Sequence, residues 1–173
     1  MDHRGKISIR PGDAADLPAV LALFDGAVEW LVTQGRTGQW GDKPWSANPK
    51  AVALVEKYLT TGYPWVAEVD GTTAGTVTLT EGPGEFIPAV AEPERYVHLL
   101  VADRRFAGLG VGAALLAHAA EETRRQGVSL LRVDCYAGDD GKLVAYYEGN
   151  GFTRAEAFTG TNGWPGQVLA RRV

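Results

Sequence analysis

Three glycines at alternate positions separate an apolar segment from an alanine-rich one in VHLLVADRRFAGLGVGAALLAHA, residues 97–119. The apolar run 95–102 predicts a strand buried on both faces, and the alanine-rich run predicts a helix. In a helix interior, glycine is about 1 kcal/mol less favourable than alanine. Gly108, Gly110 and Gly112 therefore indicate a helix start whose backbone must approach another group closely.

A helix start without covering side chains can bind an anion through its main-chain N–H groups and its dipole. The P-loop scheme is excluded because no lysine follows Gly112. The dinucleotide scheme G-x-G-x-x-G/A fits GLGVGA, and Asp134 ends the next predicted strand. Six residues separate Val101 from Gly108, however, and only about 40 residues follow Asp134, which is short for a second nucleotide-binding half.

The whole chain has the composition of a globular protein, with 173 residues, of which 45% are hydrophobic and 22% charged. We expect a single domain over residues 1–173. No apolar run is long enough to span a membrane, the N-terminus has no apolar signal segment, and one cysteine excludes an internal disulfide. These features predict a cytoplasmic protein without membrane partners, and the net charge of −4 argues against nucleic-acid binding.

Helical and strand periodicities alternate along the chain in the order β-α-α-β-β-β-α-β-α-β-β. Asp70-Gly71 predicts a hairpin turn, and Asn48-Pro49 predicts the start of the second helix. This order is typical of an α/β protein with a mixed sheet.

Two segments together resemble the GNAT superfamily of N-acyltransferases. One is RFAGLG, Arg105 to Gly110, which matches R-x-x-G-x-G; the other is AYYEGNGF, which lies one strand later. The resemblance implies one acetyltransferase-like domain with a central twisted mixed sheet of about six to seven strands and helices on both faces. It also implies acetyl-CoA as the cosubstrate and no metal.

The resemblance further implies which residues bind acetyl-CoA. Its pantetheine arm would pair with the main chain of Leu99, Leu100 and Val101. Its pyrophosphate would be bound by main-chain N–H groups of one continuous segment, namely Phe106, Ala107, Gly108, Leu109, Gly110, Val111 and Gly112.

Two arginines are the expected cationic partners of the phosphates, Arg104 and Arg105. The family usually has a basic residue directly before the first glycine, where this chain has Ala107. The family often has an asparagine that bonds the pantetheine where this chain has Asp140.

Acyl transfer requires a base that deprotonates the amine and an acid that protonates the leaving thiolate. By resemblance, Tyr147 is the acid. His98, Glu68 and Glu94 are candidate bases, and a main-chain N–H near Leu100 would stabilise the developing oxyanion.

The acceptor is expected to be the primary amine of a small molecule or an amino-acid-like compound, bound between the first two helices. Trp40 and Trp45 either form an apolar wall for this acceptor or only fix their loop. A non-catalytic acyl-CoA sensor and a dinucleotide-binding enzyme remain alternatives. The C-terminal strands also offer an edge at which two copies would pair as a homodimer.

Overall fold

The computed structural model describes residues 5–173; part of the N-terminal segment used above, residues 1–4, lies outside the described residues. Within residues 5–173, the four α-helices are α1 Leu17–Thr33, α2 Pro49–Thr61, α3 Val111–Arg125 and α4 Lys142–Gly149. The seven strands of this described range are β1 Ile7–Pro11, β2 Tyr63–Val69, β3 Thr72–Thr80, β4 Arg95–Ala102, β5 Leu130–Tyr136, β6 Thr153–Thr159 and β7 Pro165–Arg172. The predicted order of elements is confirmed. No helix within residues 5–173 is both long and apolar enough to cross a membrane.

The strands form one sheet in the order β1-β2-β3-β4-β5-β7-β6. Strand β5 is parallel to β4, with Arg95–Val97 opposite Leu131–Val133, and antiparallel to β7. Strands β1 and β2 are antiparallel, as are β6 and β7. The predicted α/β fold with a mixed sheet of six to seven strands is therefore confirmed.

Local sequence explains where the first two helices begin. The Asp13 side chain accepts a hydrogen bond from the Ala15 N–H, and the Asp16 side chain accepts one from the Asp13 N–H, which together form a capping box. Asn48 caps α2 by accepting from the Lys50 N–H. Asn48 thus caps α2 directly, whereas the capping box closes the 3₁₀ turn Ala14–Asp16 that leads into α1.

The described chain divides into two compact units, of which the first contains residues up to Thr78 together with His98–Leu116. Its core joins α1, α2 and the end of β4, through Val20, Leu23, Phe24, Ala27, Val55, Leu59 and Val101. A Cβ atom on Gly75 of β3 would lie 2.8 Å from Val111 Cγ1 and 3.0 Å from the Val101 carbonyl oxygen. Glycine at this position therefore lets the first turn of α3 lie directly on the sheet.

The second unit contains Leu79–Val97 and Ala117–Val173. A buried ion pair joins Arg132 of β5 to Glu94, with Nε and Nη2 each 2.8 Å from a carboxylate oxygen. Arg132 also donates to the Pro88 carbonyl. These bonds attach the loop before β4 to the centre of the sheet. The prediction that the whole chain is one domain stays a prediction.

Candidate functional site

The second half of β4 departs from regular strand geometry at Leu99, whose φ is 53°. Successive side chains of a regular strand point to opposite faces. Here His98 stacks on Tyr58 of α2, while Leu99 packs against the core formed by α1 and α2. Both side chains thus reach the same helical layer. The strand predicted to be buried on both faces is only half-buried from His98 to Leu100.

The loop after β4 is held at its start by Asp103. The Asp103 N–H donates to the Ala74 carbonyl over 2.7 Å, which joins the loop to β3. The Asp103 carboxylate accepts from the Arg105 N–H and so caps a short 3₁₀ turn, Arg104–Phe106. The glycine segment therefore follows a well-anchored turn.

Gly108 and Gly110 have φ angles of 88° and 78°, a region that favours glycine. Apart from each glycine and its two chain neighbours, no atom of residues 5–173 lies within 4 Å of the position where either would carry a Cβ. The first helical hydrogen bond of α3 runs from the Ala114 N–H to the Gly110 carbonyl. Three N–H groups precede that bond and belong to the open end of the helix, namely those of Val111, Gly112 and Ala113. The segment has the form of a main-chain cradle for an anion.

The two predicted phosphate partners are both held by neighbours in this structure. The Arg104 guanidinium carbon lies 3.9 Å from the centre of the Trp30 ring. Arg105 Nη2 lies 2.8 Å from Asp103 Oδ2, and this hydrogen bond lowers the pKa of the Asp103 carboxyl group. The Arg104 guanidinium is thus stacked on a ring, whereas Arg105 uses Nε and Nη2 to bind Asp103.

Both arginines border an open groove of about 580 Å³ beside α1. Its wall consists mainly of small side chains, and its lining residues are Ala19, Ala22, Leu23, Gly26, Ala27, Thr72, Thr73, Asp103, Arg104 and Arg105. In the loop itself, Phe106 and Leu109 are half-buried and Ala107 is exposed.

Asp140 lies in a tight turn before α4. Asp139, Asp140 and Gly141 all have φ angles between 52° and 73°. The Asp140 carboxylate accepts from the Lys142 N–H over 3.3 Å, which supports the start of the helix. The carboxylate thus has a local structural role, and its expected contact with pantetheine stays a prediction.

Tyr147 of α4 is buried, whereas its neighbour Tyr146 is 39% exposed. The Tyr147 ring packs edge-on against Tyr146 and Phe152, with centroids 5.6 Å and 5.8 Å away. Burial raises the pKa of the Tyr147 phenol. The hydroxyl consequently stays protonated at neutral pH, the state in which it can act as a proton donor.

The three candidate bases have different surroundings. Glu94 is occupied by the buried guanidinium of Arg132, so it is removed from the candidates. Glu68 faces Arg10, whose Nε lies 3.4 Å from Glu68 Oε1. The His98 imidazole is stacked on an aromatic ring within the helical layer.

The dinucleotide alternative does not agree with the structure. Asp134, which would have to bind a ribose, accepts a hydrogen bond from the buried Tyr96 hydroxyl over 2.7 Å. Strand β5 is flanked by an antiparallel strand, whereas a dinucleotide fold needs consecutive parallel strands. We therefore discard this alternative. No metal-binding cluster of three or more His, Cys, Asp or Glu side chains occurs among residues 5–173.

An aromatic cluster fixes the loop between α1 and α2. Trp45 is stacked on Phe24 with ring centres 4.2 Å apart, and Trp40 contacts both rings edge-on. The Asp25 carboxylate accepts from the Ser46 N–H over 3.0 Å. The tryptophans thus hold the loop on α1 and remain half-buried there.

Sequence reasoning missed two features of this region. The left-handed backbone of Leu99 has no sequence signal, because leucine rarely adopts that conformation. Sequence patterns give no reason to select Tyr58, because its contact with His98 depends on how α2 packs.

Comparison with known proteins agrees with the geometry. The sequence profile of the Acetyltransferase (GNAT) family matches residues 27–152. An uncharacterized N-acetyltransferase of Bacillus subtilis (strain 168), YesJ, is 29% identical over 153 residues, which cover 82% of this chain and 79% of that protein.

Solved structures show the same fold. The ribosomal-protein-alanine N-acetyltransferase from Brucella melitensis superposes with a TM-score of 0.67 at 22% identity, covering 96% of this chain and 99% of that one. The PaiA N-acetyltransferase from Thermoplasma acidophilum, solved in complex with coenzyme A, gives a TM-score of 0.71 at 16% identity, covering 97% and 99%.

Proposed function

Because the chain belongs to the GNAT family of acetyltransferases, we propose that it transfers the acetyl group of acetyl-CoA to the primary amine of a small-molecule or amino-acid-like acceptor. The enzyme is an acyltransferase. We propose the identity of its acyl donor, the class of its acceptor and the roles of the residues described below.

One observation carries the proposal: the open cradle at the start of α3. Three N–H groups precede the first helical bond, and no neighbour fills the Cβ positions of Gly108 and Gly110. A pyrophosphate fits this donor set, because main-chain N–H groups and a helix dipole both favour negative charge. Release of Arg104 from Trp30 would add a cation, which offsets the missing basic side chain at Ala107.

The half-buried segment of β4 is the proposed partner of the pantetheine arm. Leu99, Leu100 and Val101 present main-chain groups that are able to pair with the amides of that arm. The acetyl thioester, when bound, supplies an activated carbonyl carbon with thiolate as its leaving group.

We assign the base to His98 rather than Glu68, since Glu68 already has a cationic partner in Arg10. The acceptor enters as an ammonium ion, and His98 removes one proton, directly or through water. The amine nitrogen then forms a bond to the carbonyl carbon while the carbon–sulfur bond breaks. Tyr147 protonates the sulfur, and the Leu100 N–H donates to the carbonyl oxygen on which negative charge develops. The new amide nitrogen loses its second proton, which restores the Tyr147 phenol directly or through water.

The proposal is tested by measuring thiol release from acetyl-CoA in the presence of small primary amines, amino acids and an alanine-initiated peptide. Turnover with small amines, accompanied by the acetylated product in mass spectrometry, supports it. Tight binding of CoA without turnover on any amine would instead indicate an acyl-CoA sensor. Turnover of the peptide alone would place the acceptor among protein N-termini.

A further inference from the structure

We infer that the acceptor carries an apolar skeleton next to its amine, so that alkyl or aryl amines are preferred over polyamines and hydroxylated amines. The inference rests on the proposed function and specifies its acceptor. It is carried by an apolar surface that α1, its following loop and β4 present beside the proposed base.

The conformation of Leu99 brings this surface together. Because its φ is 53°, both His98 and Leu99 face the layer formed by α1 and α2. A regular strand would have placed one of them on the other side of the sheet. The proposed base therefore lies beside an apolar side chain, within the layer where the acceptor is expected.

Several large apolar side chains remain only half-buried around the same core. They share contact with the buried cluster of α1 and α2, and they are Leu17, Leu21, Trp40, Trp45 and Leu99. Beneath them Phe24 is 1% exposed and Val55 is fully buried. An apolar ligand group that contacts these side chains would remove part of their remaining surface from water, and this burial favours binding.

Two carboxylates near this surface already have partners. Asp16, just before α1, forms an ion pair with Arg10, with Nη2 2.7 Å from Oδ1, and Asp25 of α1 accepts one hydrogen bond, from the Ser46 N–H. A second ammonium group on the acceptor would have to compete with Arg10 for Asp16. The surface thus recognises the skeleton of the acceptor by apolar contact.

A homologous series of amines tests the inference. Propylamine, butylamine, pentylamine and hexylamine have nearly equal amine basicity and differ in apolar area. We expect kcat/KM to rise about fourfold with each added methylene group. Pentylamine is also compared with 1,4-diaminobutane, in which an ammonium group replaces the terminal methyl, and pentylamine should be preferred.

A matched pair of variants locates the effect. Leu21→Ser should reduce the increase per methylene, whereas Leu54→Ser, which alters an exposed leucine of α2, should leave it unchanged. Three results would overturn the inference while leaving the acetyltransferase function intact. These are a kcat/KM that does not change along the series, a higher kcat/KM for the diamine than for pentylamine, and the same increase per methylene in both variants. Turnover of amino acids but of none of these amines would overturn the inference alone. Turnover of neither, despite CoA binding, would contradict the proposed small-amine function itself.

Discussion

The imidazole of His98 lies nearly parallel to the phenol ring of Tyr58, with ring centroids 4.5 Å apart and an angle of 19° between the planes. The two residues belong to β4 and α2, which are linked through the core of the first unit. The stack limits rotation of the imidazole ring. It therefore fixes the directions in which the two nitrogen atoms of the proposed base point.

Removing the base should affect the reaction and not the binding of acetyl-CoA. We expect His98→Gln to lower kcat at neutral pH by about 10² or more, while CoA affinity stays near that of wild type. Tyr58→Phe keeps the stacked ring and should retain most of the activity, whereas Tyr58→Ala should lower kcat without altering CoA affinity. Equal activity of Tyr58→Ala and wild type would show that the stack does not position the base.

Gly110 and Gly127 form a matched pair for the anion cradle. Both have positive φ angles, 78° and 76°, and both lack neighbours near a Cβ position. Alanine at either position should cost about 1–2 kcal/mol of stability, because the left-handed conformation strains a side chain. Only Gly110→Ala should weaken CoA binding, by about tenfold or more in calorimetry, since its methyl group occupies the cradle. An equal CoA affinity for the two variants would contradict the cradle assignment.

Phenylalanine variants of Tyr147 and of its neighbour Tyr146 test which of the two tyrosines is the acid. Tyr147→Phe should lower kcat by about 10² while CoA affinity stays near that of wild type. Tyr146→Phe should leave both unchanged. Because burial raises the pKa of Tyr147, its phenol stays protonated as the pH rises, and the rate should show no alkaline limb up to about pH 10. Rates that fall between pH 8 and pH 10, in wild type but not in Tyr147→Phe, would contradict this assignment.

The buried pair of Glu94 and Arg132 should contribute to stability alone. Glu94→Gln leaves a buried guanidinium without its counter-charge, and we expect it to lower the free energy of unfolding by about 3–5 kcal/mol. The double variant Glu94→Leu with Arg132→Met should recover much of this loss in urea denaturation. The kcat of folded Glu94→Gln should equal that of wild type. A lower kcat for the fully folded variant would return Glu94 to the candidate bases.

The sequence predicted those parts of the molecule that depend on local periodicity and turn chemistry. Strand β4 was predicted over its observed span, and the helix after the glycines was predicted because glycine spacing and alanine content have local physical causes. The left-handed Leu99 was not predictable, since leucine has no preference for that conformation.

The surroundings of the site depend on contacts between distant parts of the chain. Arg104 meets Trp30, and Arg132 meets Glu94, across many residues of sequence. Ion pairs and ring contacts of this kind follow from packing, so spacing along the chain does not reveal them. The sequence alone therefore leaves Glu94 among the candidate bases, and its contact with Arg132 removes it.

Gly75 lies outside the site, but a side chain at this position would disturb the packing of α3 on β3. A methyl group there would meet the Val101 carbonyl at 3.0 Å, and a backbone atom cannot turn aside as a side chain can. The spacing between β3 and the first turn of α3 is therefore set by one missing methyl group. Redesign of this protein for a new donor therefore has to keep position 75 without a side chain, because the height of the cradle above the sheet depends on it.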